Sequence, residues 1–319
     1  MKLRFLLSIV LLSSSGAYAM FLPKEDIGEA VTSNVTFQEV IGADEAKASL
    51  QDLVKLLQKP KSYARVGARL PKGVLLEGAP GNGKTLLVKA LAGEAGVKFL
   101  AVTGSTFSAP LCGLGVDRVK SLFNKARENA PCIVFIDEID GLGVRGGGGV
   151  QDANVENTRI INEFLAQMDG ITSAQDKPVI IIGATNYKEN VDEALRRSGR
   201  IDTVVRVENP SQENRVKILQ LYAKKITVGQ VNFNHVAQEA VEFSGADLEN
   251  LVNQAAIYAA REEAYAVDQR HFDAALEKIK KGKRTEKKSL SSFDDIAKIL
   301  ATFKNTFDTP APTVKAIGG

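Results

Sequence analysis

A chain of 319 residues, 44% of them hydrophobic, is long enough to bury a sizeable core and to divide into more than one domain. A net charge of +3, with Lys and Arg spread along the chain, is too mild to make nucleic acid the main partner. Cys112 and Cys132 do not make a disulfide framework, and His235 and His271 leave a histidine-based zinc site almost nothing to use.

The N-terminal residues 1–19 stand apart. Lys2 and Arg4 flank an apolar run from Phe5 to Leu12, and Ala17-Tyr18-Ala19 forms a small-x-small cleavage pattern. The run is far shorter than the ~20 residues of a membrane-spanning helix. This pattern predicts a secretory signal peptide, with an uncleaved anchor or an organelle leader left open. Residues 20–34 read as a linker without strong periodicity.

From Ala43 to Leu57 the apolar residues Ala46, Leu50, Leu53, Val54 and Leu57 recur at helical spacing, and Pro60 is expected to stop that helix. Strands then alternate with helices. Gly73–Glu77, Phe99–Val102, Cys132–Ile136 and Val179–Ile182 read as strands; 84–95, 116–128 and 155–168 read as helices. Near-continuous apolar strands separated by helices predict an α/β fold, a parallel sheet covered by helices on both faces. The glycine run Gly146–Gly149 reads as a surface loop, since no helix start with Lys follows it.

Past Pro210 the pattern is helical. Val216, Leu219, Leu221, Leu248, Leu251 and Val252 are its core candidates. The expected organisation is a leader over 1–19, a linker over 20–34, an α/β domain over 35–209, a small all-helical lid over 210–282 and a tail over 283–319. The basic run from Lys278 to Lys288 reads as a solvated helix end or linker, and one short helix is expected in the tail, over 293–303.

Gly78-Ala79-Pro80-Gly81-Asn82-Gly83-Lys84-Thr85 fills every fixed position of a P-loop between an expected strand and an expected helix. Its glycines let backbone N–H groups close on phosphate oxygens, and the helix start adds partial positive charge. Lys84 should reach the outer phosphates of ATP, and Thr85 should place its hydroxyl on Mg²⁺. With Leu86, the stretch Gly78, Pro80, Gly81, Asn82, Gly83, Lys84 and Thr85 makes up the expected phosphate cradle. Such a leader beside an ATP site sets a condition on location: the ATPase must face a compartment that contains ATP.

Ile133-Val134-Phe135-Ile136 delivers Asp137 and Glu138 at a strand's C-terminal edge, where open α/β sheets bind ligands. Asp137 would hold Mg²⁺ through water, and Glu138 would act as general base on the attacking water. Asn186, closing the next apolar strand, could orient that water. Arg196-Arg197-Ser198-Gly199-Arg200-Ile201-Asp202 reads as a loop whose arginines suit stabilisation of phosphoryl-transfer charge; a solvated basic turn is the other reading.

These motifs, with Ser244-Gly245-Ala246-Asp247-Leu248, resemble those of AAA-family ATPases, above all the ATPase module of FtsH-type membrane metalloproteases. The resemblance covers about residues 35–282, with further matches at Val35-Thr36-Phe37, Ala130-Pro131-Cys132 and Met168-Asp169-Gly170. It implies ATP and Mg²⁺ bound at a subunit interface in a homo-oligomer, a hexameric ring, acting on a polypeptide or serving a separate partner protein. It further implies that Arg197 and Arg200 are arginine fingers for a neighbour's site, that Ile41 and Gly42 lie near the adenine, and that Gly245 and Ala246 form the lid edge. No nucleic-acid partner is expected, and membrane association would run through residues 1–19.

Three departures bear on function. The family's His-Glu-x-x-His peptidase motif is absent from these residues, so metalloprotease activity is not expected of them. Leu111-Cys112-Gly113 stands where the family has an aromatic pore-loop residue that grips substrate. Ser198, Ile201 and Thr203 replace the family's usual Pro, Phe and Arg. An ATP-dependent remodelling ring is therefore expected, with a nucleotide-dependent scaffold of little turnover as the alternative.

Overall fold

The computed structural model describes residues 27–67, 71–108, 113–143, 151–171 and 177–283. The leader, Leu111, Cys112, Gly146–Gly149 and the expected tail helix lie outside them. The chain falls into two compact units. The first takes Met1–Val40, Asp44–Gly78 and Lys84–Val207; the second takes Ile41–Ala43, Ala79–Gly83 and Glu208–Gly319.

The first unit is built on a six-stranded sheet. In chain order its elements are β1 (Val31–Thr32), α1 (Asp44–Gln58), α2 (Pro60–Arg65), β2 (Gly73–Glu77), α3 (Lys84–Ala95), β3 (Lys98–Thr103), α4 (Leu114–Glu128), β4 (Cys132–Asp137), α5 (Gln151–Gly170), β5 (Val179–Thr185) and β6 (Ile201–Arg206). The sheet order is β1-β3-β4-β5-β2-β6, with β1 antiparallel to β3 and the other pairings parallel.

Strand alternation divides the side chains between two helical layers. Cys132, Val134 and Ile136 join Val119, Phe123, Ile161 and Phe164 of α4 and α5 in one cluster. Ile133 and Phe135 fall on the opposite face, where Phe135 stacks on Phe99 with ring centroids 6.0 Å apart. Burial of all of β5, and of β4 up to Ile136, shows why their sequences read as unbroken apolar runs.

Three details depart from expectation. Pro60 ends α1 but also opens α2, because proline in a first helical turn forfeits no hydrogen bond. The expected linker contains β1, two exposed residues too short to show a period. The segment expected to run as a loop to Asp202 instead enters β6 at Ile201, which is completely buried. Exposed Asp202, Thr203 and Val204 between Ile201 and Val205 hide the alternation of this edge strand.

In the second unit, α6 (Gln212–Ala223), α7 (Phe233–Glu239), α8 (Gly245–Arg261) and α9 (residues 269–283) surround a separate core. Leu219, Leu248, Leu251, Val252, Phe243 and Phe272 are buried there. Val216 packs partly against it, but Leu221 is 41% exposed, since two residues beyond Leu219 a helical side chain points away. Ser211, Asn232 and Ser244 cap α6, α7 and α8 with side-chain oxygens. Among the described residues, no helix is long and apolar enough to cross a membrane.

Candidate nucleotide-binding site

The register of the parallel strands brings the chemistry to one edge of the sheet. Glu77 pairs with Thr185, Ile136 with Gly183 and Asp137 with Thr103. The residues just beyond, Gly78, Glu138 and Asn186, therefore leave the sheet at its C-terminal edge. Here the order reverses: β2 sits between β5 and β6, while the chain after it crosses to β3. Such a switch point opens a crevice in an α/β sheet.

Lys84, the first residue of α3, is buried. Its Nζ donates to the Gly78 carbonyl at 2.7 Å and to Asn186 Oδ1 at 2.8 Å. Burial pushes its pKa below the ordinary lysine value, against the opposing pull of Asp137 and Asp140. Thr85 Oγ1 donates to Asp137 Oδ2 at 3.0 Å, so a hydroxyl and a carboxylate oxygen already face each other. A cavity of about 450 Å³ opens on these two residues and is also lined by Thr103, Thr106 and Arg118. Oxygen donors of this type suit a hard divalent cation such as Mg²⁺.

Glu138 is exposed and takes the left-handed backbone conformation, with φ of 50°. Its carbonyl accepts from Gly141 N–H at 2.8 Å, and its own N–H donates to Asp137 Oδ1 at 3.0 Å. Gly104 closes on the same carbonyl: a Cβ placed there would stand 2.2 Å from Glu138 O. Two further residues belong to this cluster. Thr185, buried, donates through Oγ1 to Asp140 Oδ1 at 2.7 Å and accepts from Tyr187 N–H at 3.1 Å. Asp140 lies three residues after Asp137, in the short turn that follows β4, and Thr185 directly precedes Asn186. Adjacency to known motifs was their only trace in the sequence.

The loop Ala79–Gly83 belongs to the second unit, with Ile41–Ala43. Gly81 has φ of 80°, and its carbonyl accepts from Ala246 N–H at 3.1 Å. A Cβ on Gly81 would meet Ala246 Cβ at 2.7 Å and Ser244 Oγ at 2.8 Å, so only glycine fits. Asn82 Nδ2 donates to Asn209 Oδ1 at 2.9 Å. Ile41 packs against the helical core, and Gly42 has φ of 77° beside Asn214. Leu86, in the first turn of α3, is 41% exposed.

The two candidate fingers differ in how they are held. Arg200 donates to Asp169 at 3.1 Å and to the Ala194 carbonyl at 2.9 Å. Arg197 is 63% exposed, and its contact with Glu193 is a long 3.7 Å. The Arg200 and Lys72 hydrogen bonds outweigh the desolvation that would raise the Asp169 pKa and hold it below the usual carboxylate value.

Residues 74–209 match the family described as "ATPase family associated with various cellular activities (AAA)", and residues 230–274 match the AAA+ lid domain. Residues 74–209 are an AAA ATPase domain. This AAA region is related to FtsH. The chain is 44% identical over 270 residues to "ATP-dependent zinc metalloprotease FtsH 1" of Bdellovibrio bacteriovorus, covering 84% of this chain and 41% of that protein. It is 46% identical over 275 residues to "ATP-dependent zinc metalloprotease FtsH 4" of Synechocystis sp., covering 86% and 43%. It is 43% identical over 279 residues to "ATP-dependent zinc metalloprotease FTSH, chloroplastic" of Nicotiana tabacum, covering 87% and 38%. The chain thus spans about two fifths of the length of those relatives.

Proposed function

We propose that this chain binds ATP with Mg²⁺ and hydrolyses it within a ring of identical subunits, using the turnover to remodel polypeptides. The observation that carries the reading is the ammonium of Lys84, buried between the Gly78 carbonyl and the Asn186 amide oxygen beside the Thr85–Asp137 pair. A desolvated lysine at the start of a helix is poised to exchange one of those acceptors for a phosphate oxygen. Thr85 and Asp137 would hold Mg²⁺, which bound there would neutralise phosphate charge.

Lys84 would bind the outer phosphates and stabilise the charge that builds on them. Once its ammonium turns to phosphate, the Asn186 oxygen is released to orient water. Glu138, exposed at the strand end, would take that water's proton. The Ala79–Gly83 amides would cradle phosphate, with Ile41, Gly42, Gly245 and Ala246 toward the adenine and Leu86 completing the cradle. Arg197 is the better candidate for a finger reaching a neighbouring subunit, since Arg200 is committed to Asp169 in its own chain. The relatives' printed names support ATP-dependent work on polypeptides; the zinc-protease half of those names is not carried over to these residues. Residues 1–19 would direct the chain toward a membrane, with the ATPase on an ATP-containing side.

Subunit mixing tests the ring and the enzyme together. Glu138→Gln and Arg197→Ala chains should each be nearly inactive alone. A mixture should regain turnover, because an Arg197→Ala chain keeps its own Glu138 and can borrow Arg197 from a Glu138→Gln neighbour. A mixture no more active than its components, despite assembly, would refute the trans arrangement. Nucleotide-dependent assembly of the unmodified chain with negligible turnover would favour the scaffold reading instead.

A further inference from the structure

The start of α8 carries a hydrogen-bonded chain for which the proposed chemistry has no role. Lys283, in the last described turn of α9, places Nζ 2.6 Å from Asp247 Oδ2. The same carboxylate oxygen accepts from the Ser244 backbone N–H at 2.8 Å and from the Ser244 hydroxyl at 2.7 Å. In return the Asp247 N–H donates to Ser244 Oγ at 3.3 Å, completing a capping box. Next in the helix, the Ala246 N–H donates to the Gly81 carbonyl at 3.1 Å.

Lys283 is located from two sides. Its ammonium also lies 4.6 Å from the Phe243 ring centroid, within cation–π range. Burial of Asp247 acts to raise its pKa, but the hydrogen bonds from Lys283 and Ser244 outweigh it and hold the carboxyl below its ordinary value. The pair is only partly exposed, at 33% for Lys283 and 25% for Asp247, so solvent screens it less than a surface ion pair. On the other side of the chain the fit is close, because Gly81 has no room for a Cβ against Ala246 and Ser244. A shift of the first turn of α8 must therefore move the loop carbonyl as well.

We infer that Lys283 is a positioning residue for the phosphate loop. It pins Asp247, Asp247 fixes the first turn of α8, and the Ala246 N–H then holds the Gly81 carbonyl. With that carbonyl turned to the helix, the loop's amides are left facing the phosphates before nucleotide arrives. Preorganisation of this kind lowers the ordering cost of binding. The inference rests on the ATP-binding reading and gives a role to a residue that the sequence placed only in a solvated basic run.

Titration of a fluorescent ATP analogue and steady-state hydrolysis by the intact chain test it. Lys283→Met should weaken nucleotide binding and raise KM about five-fold, with kcat lowered by less than two-fold, as expected for losing one charge-assisted hydrogen bond. Lys283→Arg, which can still reach a carboxylate, should recover most of the affinity. Leu251→Ala, a cavity in the same helical core, should lower the melting temperature without the KM effect. Unchanged affinity and KM in Lys283→Met would overturn the inference. So would a loss that Arg fails to restore and that tracks melting temperature as in Leu251→Ala. If the unmodified chain binds no nucleotide, or binds it equally well as Lys84→Ala, the ATP reading itself falls and the inference with it.

Discussion

Adding one methyl group at Gly104 should slow ATP hydrolysis without touching any group that contacts nucleotide. The new Cβ would stand 2.2 Å from the Glu138 carbonyl oxygen and 3.1 Å from its carbonyl carbon, where ordinary contact begins near 3.4 Å. Relief requires the two backbones to separate by about 1 Å, and a displacement of that size at a reacting group costs on the order of 10²-fold in rate. Overpacking of this kind costs roughly 1–3 kcal/mol of stability, less than the ~5–15 kcal/mol that holds a domain folded. Gly104→Ala should therefore remain folded, lose about two orders of magnitude in kcat and keep KM for ATP within a few-fold. Gly141→Ala is the control, since its Cβ would meet Ser105 N at a milder 3.1 Å. Phosphate release, with circular dichroism melts on the same samples, gives the answer. A folded Gly104→Ala chain with turnover within three-fold of the unmodified protein would refute the idea that Gly104 sets the position of Glu138.

Asp169→Asn should lower stability by no more than about 1 kcal/mol at neutral pH, because Asp169 is half exposed and its pairs with Lys72 and Arg200 are screened. Its folded pKa lies below the unfolded one, so the contribution is present above the unfolded value and lost as pH falls through the folded value. Thermal melts of the two proteins should therefore differ at pH 6 and converge in strong acid; a gap that persists at about pH 2 would contradict this. Cys132 is fully buried, and burial pushes its thiol pKa to about 12. It should stay unmodified by iodoacetamide in the native chain and react only on unfolding, as read by mass spectrometry.

The parallel sheet was legible because β4 and β5 are buried on both faces, which leaves an unbroken apolar run bounded by helices. The same physics hid β6, an edge strand that buries only Ile201 and Val205. In the helical unit, Leu248, Leu251 and Val252 repeat with α8 and lie in the core, while Leu221 of α6 stands two residues beyond buried Leu219 and lies outside it. Motif residues such as Lys84, Thr85 and Asp137 could be located because their spacing and their position at a strand or helix end were both readable. Asp140 and Thr185 were not, because their meeting depends on the register of β4 against β5. Gly104 carries no chemistry at all, and its role follows only from where another backbone passes.

Hydrolysis at this site is tested most directly by one single-turnover measurement with labelled ATP and Mg²⁺, made on the chain and on its Glu138→Gln variant. Loss of a general base typically costs ~10²–10⁴-fold in rate. Both proteins should bind the nucleotide with similar affinity, the unmodified chain should convert it to ADP and phosphate, and the variant should do so at least about 100-fold more slowly. Bound ATP that the unmodified chain leaves intact, or converts no faster than Glu138→Gln, would contradict the account.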